Sequence, residues 1–259
     1  MKLLILPDPA AAVARCAQII AQTLTETPQA VLGLATGGTM EPVYADLVRR
    51  AEAGEVSLER MTSFNLDEYV GLPPEHPQSY HTYMAERLFG PLGLDPARTH
   101  LPRGDAEDPA TEAARYDAAI GQAGGIDLQL LGIGGNGHIG FNEPSSSLAS
   151  PTRVKTLTSA TREANARFFG PDETVPRFAI TMGIATILRS RRAVLLATGA
   201  SKASAVAAMV EGPLSARCPA SALQLHPSAT VVLDTEAAAE LELRQYYETV
   251  HPKGQEVML

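Results

Sequence analysis

Short apolar runs alternate with longer, Ala-rich amphipathic stretches along the whole of this 259-residue chain. That alternation constrains the fold more than any other feature. Apolar runs of roughly four to eight residues between turn residues read as buried strands, and longer periodic stretches read as helices. Strands are expected at 3–6, 30–35, 61–65, 126–133, 154–157, 193–197 and 230–233. Helices are expected over about 9–24, 40–53, 79–89 and 111–122, and from about Ser201 and Thr235 onward. The second half of the 126–133 run is apolar on both faces, which suits a central parallel strand. The pattern predicts an α/β fold: an open, mostly parallel, doubly wound, Rossmann-like sheet with helices on both faces. The length sits near the upper limit for one hydrophobic core, so 1–259 is expected to form a single domain. Pro and Gly cluster at 71–77, 89–104 and 170–176 and read as loops within it.

Composition excludes several functions. Acidic residues number 29 against 21 basic, a formal charge of −8, whereas binding to a nucleic-acid backbone needs a basic stripe. The opening MKLLILPD has four apolar residues before Pro7 and Asp8, too short for a signal-peptide core or a membrane span. Cys16 and Cys218 lie far apart, outside any Cys-x-x-Cys pair, and read as two reduced core thiols. His76, His81, His100 and His251 show no metal-ligand spacing. The expectation is a cytoplasmic protein without membrane or nucleic-acid partners.

In an open parallel sheet, ligands bind outside the carboxyl ends of the strands. Unusual residues should therefore cluster just after strands. LGLATGGT at 32–39 runs from strand into helix. Gly37 and Gly38 allow a tight turn, Thr39 offers a helix cap and a hydroxyl, and the helix start offers N–H groups to an anion. A plain strand–helix turn accounts for this segment equally well. The Lys of a Walker loop and the three spaced glycines of a dinucleotide site are both missing. FNLDEY at 64–69 places Asp67 and Glu68 at a strand end. Neighbours point in different directions, so one can face a cleft as a general base while the other caps the next turn. Taken alone, the pair reads better as turn caps.

The most specific signal is LGIGGNGHIGFNEP at 131–144. Its glycines let the backbone wrap a ligand, and they present His138 with Glu143 near enough to orient it. Arg167 lies on an expected helix, and Lys202 opens another. A cation at a helix start opposes the helix dipole and suits a bound anion better than stability. Together with the 37–39 turn, the two cations make a phosphate site credible in an acidic chain.

These segments, in this order, resemble the glucosamine-6-phosphate deaminase (isomerase) family, which shares its scaffold with 6-phosphogluconolactonase and with sugar-sensing repressor domains. The resemblance runs from the first Gly-rich turn to about Leu233 and is strongest at SFNLDEYVGLPPEHPQSY (63–80), 131–144, 146–169 and ALQLHP (222–227). It implies aldose–ketose isomerisation and deamination of glucosamine 6-phosphate to fructose 6-phosphate and ammonia, with no metal or organic cofactor. It implies Asp67 as the base at C2, His138 as the ring-opening proton carrier, and Glu143 holding His138. Gly38, Thr39, Arg167 and Lys202 would bind phosphate. Asn136 stands where some members carry Asp, which leaves His138 one carboxylate neighbour fewer. A lid over about 157–180 is implied, with Gly170 and Pro171 as a hinge. Ser146, Ser147, Arg153, Lys155 and Thr156 resemble an allosteric segment that binds N-acetylglucosamine 6-phosphate between subunits. A monomer, a dimer or a homo-oligomeric hexamer is compatible with the sequence, and the allosteric members of the family favour the hexamer. A lactonase would not need the Asp67–Glu68 pair or the GFNEP continuation. A repressor domain would bring basic DNA-binding helices, whereas this sequence opens on a strand.

Overall fold

The computed structural model describes residues 1–170 and 173–255. Strand β1 (Lys2–Leu6) leads into helix α1 (Pro9–Glu26). Asp8 starts that helix by accepting the Ala11 N–H at 2.8 Å, and Pro9 supplies a pre-set first turn. Ala12, Cys16, Ile19, Ile20 and Leu24 form the buried face of α1. Next come β2 (Val31–Leu34), α2 (Glu41–Glu52), β3 (Thr62–Asn65) and β4 (Asp67–Tyr69). Helix α3 (Tyr80–Met84) continues as a wider π-turn over Ala85–Phe89, followed by β5 (Thr99–His100) and α4 (Pro109–Gln122). Then follow β6 (Leu128–Leu131), β7 (Arg153–Thr156), α5 (Ser159–Ala166), β8 (Phe178–Thr181) and α6 (Ile184–Leu188). The chain ends with β9 (Arg192–Ala197), α7 (Ala203–Val210), β10 (Ala229–Asp234) and α8 (Arg244–Val250).

Seven strands form one parallel sheet in the order β1-β10-β9-β6-β2-β3-β5. Chain order reverses between β2 and β6, the kind of switch point at which open α/β sheets place ligands. Strands β9 and β10 are buried almost throughout, as strands covered on both faces must be.

A second sheet was not anticipated from sequence. Strands β4, β8 and β7 pair antiparallel, with Asp67 and Arg153 both opposite Thr181. The chain changes sheets at Leu66. Its N–H still bonds to Leu34 in the main sheet, while its carbonyl accepts the Met182 N–H beyond β8. Beneath this sheet Tyr69, Phe141, Leu157, Val175 and Ala179 form a small separate core. Tyr80 and Phe169 pack against it, with Tyr69 5.1 Å from Tyr80 and 5.4 Å from Phe141 between ring centres.

Three expectations need correction. The 126–133 run is paired only over Leu128–Leu131. No helix starts at Thr235: Asp234 accepts the Ala237 N–H at 2.8 Å, the chain passes through turns, and α8 begins at Arg244. Thr39 does not cap α2, whose cap position is Met40 without a side-chain bond. The 157–180 segment contains α5 and β8, and Pro171 of the expected hinge lies outside the described residues. Among the described residues, no helix is long and apolar enough to cross a membrane.

Candidate active site

Strands β9, β6, β2 and β3 are neighbours, and the segments after their carboxyl ends open onto one cavity of 630 Å³. Gly38, Thr39, Asp67, Asn136, His138, Arg167 and Lys202 all line it, and Glu143 lies just behind. The sequence-derived catalytic and phosphate residues thus come together at the switch point.

The sheet change at Leu66 separates the two acids. Asp67 faces the cavity and is 5% exposed. Glu68 points the other way, where the N–H groups of Tyr69, Tyr80 and His81 and the His81 ring surround its carboxylate. Glu68 is therefore the turn cap and Asp67 the cavity acid. Burial, then the Glu68 charge, push the Asp67 carboxyl up to about 8; the Thr181 hydroxyl and the Phe141 N–H pull the other way. Such an acid keeps its proton at neutral pH in the empty site and is a strong base once it loses it.

The Gly-rich loop after β6 holds His138 by close packing. A side chain at Gly134 would meet the imidazole at 2.1 Å. Gly137 has φ +82°, and a Cβ there would meet Cys218 Sγ at 2.6 Å. His138 Nδ1 lies 2.7 Å from Asn136 Oδ1, and Asn136 Nδ2 donates to Glu143 Oε2 at 2.8 Å. Burial would raise the Glu143 carboxyl, but bonds from His138, Thr161 and Asn136 outweigh it and hold the group at about 2. An ionised Glu143 accepts only, so it turns the Asn136 amide nitrogen toward itself and the amide oxygen toward His138. Nδ1 then donates, and Nε2 is the acceptor of the neutral ring. Asn136 thus relays the carboxylate's orientation to the imidazole.

Also lining the cavity, Lys202 sits in a 3₁₀ turn between β9 and α7, and Arg167 caps the C-terminus of α5. Burial, then the Arg167 charge, lower the Lys202 ammonium. Neither cation is paired with a carboxylate among the described residues. These two neighbouring cations and the 37–39 turn line the same cavity and make this part of its wall electropositive.

A family model described as glucosamine-6-phosphate isomerases/6-phosphogluconolactonase matches residues 8–232. The chain belongs to this family. A glucosamine-6-phosphate deaminase of Cellvibrio japonicus is 53% identical over 258 residues, covering 100% of this chain and 98% of its own length. One of Rhodopirellula baltica is 56% identical over 240 residues, covering 93% and 96%. Among solved structures, a monomeric glucosamine-6-phosphate deaminase superposes with a TM-score of 0.90 at 48% identity, covering 93% of this chain and 100% of that one. The 6-phosphogluconolactonase of Trypanosoma brucei superposes at 0.70 with 20% identity, covering 93% and 98%, a likeness of fold alone.

Within this family scaffold, the segment read as allosteric lies off the cavity. Ser146 is buried, Ser147 caps a turn through the Ala149 N–H at 3.2 Å, and Thr156 is exposed. Arg153 and Lys155 share a side of β7, but Arg153 is turned inward and donates to Asn142 Oδ1 at 2.8 Å. His226 is structural: Nδ1 accepts the Ser228 N–H and Nε2 meets the Ser190 carbonyl at 2.9 Å. Both cysteines are buried free thiols. Among the described residues, no cluster of His, Cys, Asp or Glu forms a metal site. Sequence reading missed Thr158, Thr161 and Asn165 of the α5 face and Tyr80 of the cavity wall. Their one sequence signal is the three-residue Thr158–Thr161 spacing at a helix start.

Proposed function

We propose that the chain is a glucosamine-6-phosphate deaminase, converting glucosamine 6-phosphate and water to fructose 6-phosphate and ammonia. The observation that carries this reading is one cavity with three parts: a buried acid, Asp67; an oriented imidazole, His138; and two neighbouring cations, Arg167 and Lys202, without a carboxylate partner among the described residues. The deaminase relatives, more than half identical over nearly the whole chain, support the same substrate.

Arg167, Lys202, the Thr39 hydroxyl and the Gly38 N–H hold the phosphate, and this remote grip fixes the reacting carbons against Asp67. His138 Nε2 takes the proton of the anomeric hydroxyl and returns one to the ring oxygen as the C1–O bond to it breaks. Asp67 then removes the C2 proton. The C2–H pair becomes the C1–C2 double bond, and the C1 carbonyl oxygen gains the proton that the C2 ammonium gives up, giving an enolamine. Return of a proton to C1 draws in the nitrogen lone pair and leaves an iminium at C2. Water adds to C2, ammonia leaves, and the C2 ketone remains. The C1 carbonyl takes up the electron pair when the C2 proton leaves, and the nitrogen lone pair drives its return when C1 is protonated, so the sequence of steps balances without a further electrophile. The substrate ammonium, arriving next to Asp67, favours the charged base.

The partner is a small sugar phosphate, and the setting is the cytoplasm, where amino-sugar phosphates are broken down. Parallel assays separate the scaffold's two chemistries. Ammonia and fructose 6-phosphate should form from glucosamine 6-phosphate, with no acceleration of 6-phosphogluconolactone hydrolysis; the opposite pattern refutes the reading. The allosteric proposal for Ser146, Ser147, Arg153, Lys155 and Thr156 draws support from two buried atoms that have no hydrogen-bond partner among the described residues, Arg153 Nη2 and Ser146 Oγ. Arg153 also binds Asn142, next to Glu143, which gives an effector a route to the His138 arm. N-acetylglucosamine 6-phosphate should lower KM; unchanged KM and cooperativity would remove the effector site.

A further inference from the structure

The two oxygens of Glu143 serve different neighbours. Oε2 accepts from Asn136 at 2.8 Å and lies 3.5 Å from His138 Nδ1. Oε1 faces α5, where it accepts the Thr161 hydroxyl and lies 3.1 Å from Thr158 Oγ1. Thr158 caps α5 by taking the Thr161 N–H at 3.2 Å, so its own proton can go to Oε1 or to the Thr161 oxygen 3.1 Å away. Capping needs one hydroxyl. The second, on Thr161 at 7% exposure, serves the carboxylate. Positions 158, 161 and 165 share a helix face, and Asn165 Nδ2 donates at 2.9 Å to the hydroxyl of Tyr69, in the strand that carries Asp67. The same helix is capped at its far end by Arg167.

We propose that Thr161, backed by Thr158, is a positioning residue for His138: by holding Glu143 Oε1 it aims Oε2 at Asn136 and the imidazole, and it ties that aim to the helix ending in Arg167. What His138 does with its proton rests on the deaminase reading; the positioning itself rests on the contacts of Glu143. Without the threonine donor the carboxylate loses a fixed orientation, the Asn136 amide loses its anchor, and the ring loses its single tautomer. A substrate phosphate gripped by Arg167 sits on the same helix that orients Glu143, so the phosphate grip and the His138 arm share one element. Among the described residues, His138 is the titratable group paired with Glu143.

Thr161→Val keeps the side-chain shape and removes the donor, and Thr161→Ser keeps the donor. Should the valine variant fail to fold, Thr161→Ala carries the same test. On glucosamine 6-phosphate, kcat of the donor-less variant should fall about tenfold, the cost of one hydrogen bond to a charged group, with KM within about twofold. The serine variant should recover the parent rate, and binding of an acyclic amino-alcohol phosphate should not change. The second readout needs no turnover: ¹³C titration of the Glu143 carboxyl and ¹⁵N shifts of the His138 ring in the ligand-free protein. In the donor-less variant Glu143 should take up its proton at higher pH than in the parent, and the ring should depart from a single Nδ1–H tautomer, while serine follows the parent. Unchanged titration and tautomer overturn the inference, whatever the turnover. A parent that releases no ammonia would refute the deaminase reading, and the NMR arm would still decide the positioning role.

Discussion

Replacing Asp67 by Asn acts on catalysis and on stability through one cause. The carboxyl, ordinarily at 3.8, stands at about 8 in the folded protein because burial and the Glu68 charge penalise its ionised form. At pH 7 only about a tenth of the empty enzyme carries the base, and charging it costs about 1.4 kcal/mol. Parent kcat/KM should therefore rise about tenfold per pH unit below 8 and level off above, while Asp67→Asn should not turn over. The unfolded chain releases this proton near 3.8 and the folded chain near 8. The stabilisation from holding it is complete below 3.8 and is lost as pH rises to about 8, at about 1.4 kcal/mol per unit. The Asn variant carries no such loss. Between pH 5 and pH 7 it should gain about 3 kcal/mol on the parent, roughly 6–12 °C in Tm for a chain of this size. Thermal melts of both proteins at pH 5, 6 and 7 give the difference directly, because every other titrating group cancels. A Tm difference that stays flat across that range would refute the buried-acid argument.

The other predictions concern the remaining parts of the cavity. Glu143 is depressed from 4.5 to about 2, so its stabilisation is present above 4.5 and is lost as pH falls through about 2. Glu143→Gln should cost about 3 kcal/mol at pH 7, and acid melts should show the gap to the parent closing between pH 5 and pH 2. Lys202→Met removes a charge-assisted contact to phosphate; steady-state kinetics should show KM up by about tenfold to a hundredfold with kcat much less affected. Gly137→Ala forces a side chain onto φ +82° and against Cys218 Sγ. It should lower Tm and turnover together, and Cys218→Ala added to it should recover only part of the loss, because the backbone strain remains.

The main sheet was legible where its strands are apolar runs, as in 3–6 and 193–197, but its edge strand β5, only Thr99–His100, lies in the 89–104 segment that reads as a loop. Of the small sheet only β7 was legible, expected at 154–157 and found at Arg153–Thr156. Strand β4 is the three-residue DEY, whose burial comes from its partners, and β8 is the four-residue FAIT, just after the turn-rich 170–176 segment. The run after Asp234 has helix-forming composition, TEAAAE, yet tertiary contacts override it, with Asp234 spending its carboxylate on the Gly199 and Ala237 N–H groups. The site was legible where chemistry demands unusual residues, as in the Gly-rich loop around His138. It was silent where ordinary helix residues do the holding: Thr161 and Asn165 read as surface polar residues until the fold sets them against Glu143 and Tyr69.

The central claim is that Asp67 carries proton transfer in an isomerisation that ends in loss of ammonia. Ammonia and fructose 6-phosphate, measured together from glucosamine 6-phosphate for the parent and for Asp67→Asn, test it most directly. The account predicts equal amounts of both products from the parent, and neither from a variant that still binds the sugar phosphate. A parent that forms neither product, or an Asn variant that forms both at near-parent rates, would contradict it.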